Sequence, residues 1–137
     1  MPRFFYSLWV VLCMLFGLTH AASADNLLSI GKILEHPSDY QAKVVTVEGK
    51  ARKVGSIPIH RGAHRCAGRA VYDTQTFTLQ DESGVIQVGT AGACQPNATN
   101  PVLENEHIRV RGVVVADEKD PKGIPVIYAD AIDRMTP

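Results

Sequence analysis

The stretch TQTFTLQDESGVIQV, Thr74 to Val88, decides the reading of the fold. Phe77 and Leu79 alternate with Thr76, Thr78 and Gln80, and after DESG the residues Ile86 and Val88 flank Gln87, the period of two expected of half-buried strands. Asp81 to Gly84 supplies the turn. With Gln80 opposite Val85, the same register sets Leu79 against Ile86 and Phe77 against Val88, so four bulky apolar residues share one face. The hairpin is therefore expected to have a buried face and a wet face.

Outward from the hairpin, three more strands and one helix are predicted. Upstream, Val44 to Val54 (VVTVEGKARKV) reads as a strand with Val45 and Val47 on one face and Gly49 where it must bend or bulge. Ser29 is placed to cap a short helix whose Ile30, Ile33 and Leu34 recur at helical spacing, and His36 before Pro37 should end it. That helix is expected to cover one end of a barrel. Downstream, His107 to Ala116 (HIRVRGVVVA) alternates until Gly112, after which three valines predict burial on both faces. Val126 to Met135 is the fifth strand, reached through the charged turn Asp117 to Pro125. Between strands three and four only Pro101 to Asn105 offers a helical turn, and Asn97-Ala98-Thr99 matches a glycosylation acceptor that matters only in a eukaryotic secretory pathway.

The extreme N-terminus reads differently. Arg3 precedes an apolar run from Leu8 to Leu18, and Ala22-Ser23-Ala24 follows it in the small-residue pattern of a cleavage site, so residues 1–24 read as a secretory signal peptide. The run is shorter than the roughly 20 apolar residues of a permanent span; an uncleaved anchor is the alternative. Cleavage after Ala24 would leave Asp25 to Pro137, enough for one domain, in the periplasm or outside the cell, with no stable membrane insertion. Without Arg3, 13 basic residues face 14 acidic ones, a balance that gives no global sign of a nucleic-acid or membrane binder. Cys66 and Cys94 remain, and an even pair in an oxidising compartment closes into a disulfide.

Five short strands, long connections after the first and third, and glycines in strands one and four suit a closed barrel, with a β-sandwich as the alternative. In succession, VVTVEGKA, TFTLQDESGVIQV and HIRVRGVVV resemble the OB-fold, and more closely its anticodon-binding type, where a V-x-V-x-G strand precedes an F-x-L-x-D-x-x-G-x-I-x-V hairpin. The resemblance covers roughly Val44 to Val115 and extends to small exported bacterial OB-fold proteins. It implies an all-β, five-stranded Greek-key barrel with a short N-terminal helix over residues 25–137. It also implies ligands on the outer face of strands two and three and on the loops after strands one and four. The chain departs from the family in its cysteine-bearing first loop and in AGACQPNATNPVLEN, where the family often has a helix.

The loop after strand one carries the most chemistry. From Gly49 to Tyr72 there are six basic residues, Lys50, Arg52, Lys53, Arg61, Arg65 and Arg69, and no acid, a composition that attracts anions or simply marks a solvated face. The hairpin's outer face adds Tyr72, Thr74, Thr76 and Thr78. One aromatic followed by threonines is a poor stacking platform, and Asp117, Glu118 and Asp120 oppose phosphate, so nucleic acid is disfavoured. The expectation is an exported, non-catalytic module without a cofactor that binds an anionic or extended partner: an oligosaccharide, a protein or, less favoured, nucleic acid. Two rivals stand beside it. His60, His64 and Cys66 form H-x3-H-x-C, and with Cys94 they make a Cys2His2 set for a metal or redox role if the sulfurs are reduced. The other rival is a structural envelope protein that binds a protein partner along its strands. No G-x-S-x-G or P-loop pattern points to catalysis.

Overall fold

A computed structural model describes residues 26–57, 65–66, 69–70, 74–90, 94–116 and 123–136. Five strands close into a barrel in the order β1-β4-β5-β7-β6, and the fold is all-β and OB-like. β1 spans Val44–Ile57, β4 Thr74–Gln80, β5 Val85–Gly89, β6 His107–Val115 and β7 Val126–Arg134; β2 (Arg65–Cys66) and β3 (Arg69–Ala70) form a separate two-stranded ladder. Helices α1 (Ile30–Glu35) and α2 (Pro37–Tyr40) precede the barrel. Among the described residues no helix is long and apolar enough to cross a membrane.

The β4–β5 hairpin has the register its alternation predicts, with Phe77 opposite Val88, Leu79 opposite Ile86 and Gln80 opposite Val85. Phe77, Leu79, Ile86 and Val88 enter one core with Val47, Ile108, Val110, Val114 and Ile127. β1 serves two neighbours: Val44 to Lys50 pair with β6, and Lys50 to Ile57 pair with β4. At the handover a Cβ on Gly49 would lie 2.4 Å from the Gln80 carbonyl oxygen, so only glycine allows so close an approach. Gly112 meets the same limit on β6, where a Cβ would lie 2.3 Å from the Tyr128 carbonyl and the β6–β7 register shifts. Closure comes from β7, antiparallel to β6 and parallel to β5.

Several expectations need correction. β1 runs past Val54 to Ile57, because Gly55, Ser56 and Ile57 pair with Thr76, Gln75 and Thr74; Gly49 marks where it changes partner, and its bulge lies between Arg52 and Gly55. The three valines after Gly112 are not buried on both faces: Val114 is buried, Val113 half-buried and Val115 exposed, since the alternation continues through the glycine. Pro101 to Asn105 forms no helix; only a turn at Glu104–Asn105 appears.

Helix α1 ends at Glu35 before Pro37, as read, and buries Ile30 and Ile33 in the core. Its N-terminus is held differently. Ser29 occupies the cap position but makes no side-chain cap bond. The Ile30 N–H instead donates to Asp81 at 2.9 Å and the Gly31 N–H to the Ser83 hydroxyl at 2.7 Å. The hairpin turn thus satisfies the orphan donors of a helix some fifty residues earlier.

Candidate binding face and its neighbouring cleft

Outward-facing positions of the hairpin continue across the sheet in two rows. In one row Gly55 of β1, Thr76 of β4, Gly89 of β5 and Tyr128 of β7 stand side by side; in the next, Arg52, Thr78, Gln87 and Val126 do. The parallel β5–β7 pairing is what brings Tyr128 into the first row. Tyr128 is 48% exposed, and a Cβ added to Gly89 would lie 3.5 Å from its ring. The glycine therefore lets the aromatic ring lie against bare strand backbone. Sequence reading placed Tyr128 in the fifth strand only; its parity opposite the buried Ile127 was the available signal.

The six basic residues of the first loop fall partly outside the described residues. Arg52, Lys53 and Lys50 lie on β1, Arg65 and Arg69 lie on β2 and β3 with side chains outside the described residues, and Arg61 lies outside them altogether, as do Tyr72, His60 and His64. Thr74, Thr76 and Thr78 are half-buried on β4, and the Thr78 hydroxyl donates to the Arg52 carbonyl at 3.1 Å. The acid-free run meets acids from elsewhere in the chain. Glu104 accepts the Lys53 and Val54 N–H groups at 3.2 and 3.0 Å, which fixes the bulge and holds Lys53 at a φ of 52°. The Arg52 guanidinium donates to the Asn105 side-chain oxygen.

Lys50 lies one row beyond Arg52 and Thr78, toward the hairpin turn. It is paired between His107 of β6 and Gln80 of β4, and lines a cleft of about 840 Å³ with Arg52, His107, Glu48, Leu27, Leu28 and the turn Asp81 to Ser83. Burial alone would raise the Asp81 carboxyl. The Ile30 N–H, the Ser83 hydroxyl and the Ser83 and Gly84 N–H groups nevertheless hold it below the usual carboxylate range.

Above the hairpin's open end, Cys66 of β2 is joined to Cys94 with Cα atoms 5.5 Å apart. Both sulfurs are consumed, so neither is a thiolate ligand in this structure, and no metal-holding cluster occurs among the described residues. A polar clamp that sequence reading missed joins β4 to the segment after Cys94. The buried Gln75 amide donates to the Val102 carbonyl at 3.0 Å and accepts the Val102 N–H at 2.8 Å. Thr90 closes the same network by accepting the Gln75 N–H. Gln75 shares parity with Phe77 and Leu79, so alternation alone would have turned it inward.

The sequence matches no protein-family model and no curated protein. Among solved structures, a protein described as an aspartyl-tRNA synthetase from Leishmania major Friedlin aligns with 95% of this chain at a TM-score of 0.56 and 11% identity. The chain spans 26% of that protein's length, and at this identity the likeness is one of fold.

Proposed function

We propose that this protein is an exported, non-catalytic OB-type module that holds an extended anionic glycan on the outer face of β4, β5 and β7. The observation that carries the reading is the row Thr76–Gly89–Tyr128 beside Arg52–Thr78–Gln87. An exposed ring on a glycine floor presents a flat apolar surface to a sugar ring, while threonine hydroxyls and the Gln87 amide can exchange hydrogen bonds with its hydroxyls. The Arg52–Lys53 bulge sets positive charge at one edge of the face, where sulfate or carboxylate groups would lie. Nucleic acid fits less well, because the described face offers one aromatic where successive bases need several. The leader-like residues 1–24 and the Cys66–Cys94 disulfide support export into an oxidising compartment.

Heparin-affinity chromatography of the mature chain tests the reading. Retention that falls with salt is expected. Tyr128→Ala or Lys53→Glu should each lower the eluting salt, and joint reversal of Arg61, Arg65 and Arg69 to Glu should abolish retention. Failure of the wild type to bind, or unchanged elution of all three variants, would overturn it.

A further inference from the structure

The cleft around Lys50 adjoins the face just described, sharing Arg52 with it, and has a charge arrangement of its own. Its floor is Gly49, where β1 passes from β6 to β4, and its volume, about 840 Å³, falls in the range of small-molecule sites. Lys50 and His107 stand side by side on one wall, with Arg52 one row on. The turn carrying Asp81 and Glu82 lines the same cleft, and Gln80, which leads into that turn, is the register partner of Lys50.

Most of these charges are already committed. Glu48 pairs with Arg109, Asp81 is saturated by the helix and turn donors, and Arg52 is tied to Asn105. Three side chains are left: among the described residues, those of Lys50, His107 and Glu82 are exposed and engage no partner. The Lys50 ammonium and the His107 imidazole thus share the cleft with one uncommitted carboxylate. The remaining wall is apolar, with Leu27 53% exposed and Leu28 half-buried. The Leu28 N–H is fastened to the Thr46 carbonyl at 2.8 Å, so this wall is held against the barrel.

We infer that this cleft binds a short apolar peptide with free ends, its C-terminal carboxylate on Lys50 and His107 and its α-ammonium on Glu82. A simple anion would meet Glu82 and the other acids of the turn, and a simple cation would meet Lys50 and Arg52. A zwitterion satisfies both signs of charge, and apolar side chains cover Leu27 and Leu28. The cleft's volume of about 840 Å³ leaves room for a dipeptide or tripeptide.

Isothermal titration of the mature protein with the dipeptide Leu-Leu tests this. Saturable binding is expected, weakened about tenfold by Lys50→Ala and by Glu82→Ala, the loss of one hydrogen-bonded charge. N-acetyl-Leu-Leu should lose the Glu82 contribution, so that it binds wild type and Glu82→Ala alike; Leu-Leu amide should show the same indifference to Lys50→Ala. No saturable heat with Leu-Leu at millimolar concentration, or equal affinity for the free and doubly blocked peptides, overturns the inference. Tyr128→Ala, which should weaken heparin retention, is expected to leave peptide binding unchanged, so the two sites stand or fall independently. Circular dichroism of each variant verifies that these surface changes leave the barrel folded.

Discussion

Asp81 concentrates more of the architecture than any other polar side chain in the described structure. Its carboxylate receives the Ile30 N–H, the Ser83 hydroxyl and N–H, and the Gly84 N–H, so one group closes the hairpin turn and anchors α1. Its folded carboxyl lies below the ordinary value of 3.8. The unfolded chain therefore takes up the proton first as pH falls, and the stability the carboxylate contributes, fully present above about pH 5, drains away through its lowered folded value. Asp81→Asn should cost about 2 kcal/mol at pH 7 and flatten the acid limb of stability between about pH 5 and pH 3. Urea denaturation across that range measures both effects; a variant with the wild-type slope would show that other carboxylates set the acid limb. The turn was legible from D-x-S-G, but its grip on the helix was not, because a cap supplied from fifty residues away leaves no local pattern. Ser29 looked like the cap only because it stood in the usual place. Gln75 was within reach of the alternation rule and was passed over because it is polar. Gln75→Ala should cost about 1–3 kcal/mol by leaving the buried Val102 N–H and carbonyl unsatisfied, read from the urea midpoint at unchanged m-value.

At the scale of elements, the hairpin could be read to the residue and β1 could not. A hairpin carries its own register in a short turn and a strict alternation, whereas β1 changes partner at Lys50 and is extended to Ile57 only by pairing with β4. Its bulge is likewise set by Glu104, about fifty residues downstream. The disulfide was legible as a pair but not as a brace. It fastens the small β2–β3 ladder to the segment after β5, and the Gln75–Val102–Thr90 clamp holds that segment to the barrel. The closed loop of sequence separation 28 restricts the unfolded chain by about 3.5 kcal/mol on the loop-entropy estimate. Joint Cys66→Ser and Cys94→Ser replacement should lower stability toward that figure while the β4–β5 hairpin keeps its register, as amide exchange protection at Leu79 and Ile86 would report. Loss of that protection under native conditions would mean that the brace is needed for the barrel itself.

For the whole molecule, closure depends on the one pairing with no local signature. Gln87 to Gly89 meet Val126 to Tyr128 in parallel across most of the C-terminal half of the chain. Nothing in either segment announces the other, so the class of fold was readable and the route by which Tyr128 reaches the outer face was not. The same pairing makes β7 indispensable. It fills the barrel with Ile127, Ala129 and Ile132, and it occupies both the free edge of β5 and the free edge of β6. Removing it would expose two strand edges at once and withdraw two buried isoleucines worth about 2–3 kcal/mol each in transfer free energy, comparable to the whole margin of a domain this size. A chain ending at Ala116 should therefore lose cooperative unfolding and dispersed amide resonances, whereas one ending at Arg134, which keeps every β7 rung, should retain both. If the shorter chain still unfolded in a single sharp transition, the four remaining strands would be a self-sufficient sheet and closure would not be what stabilises this fold.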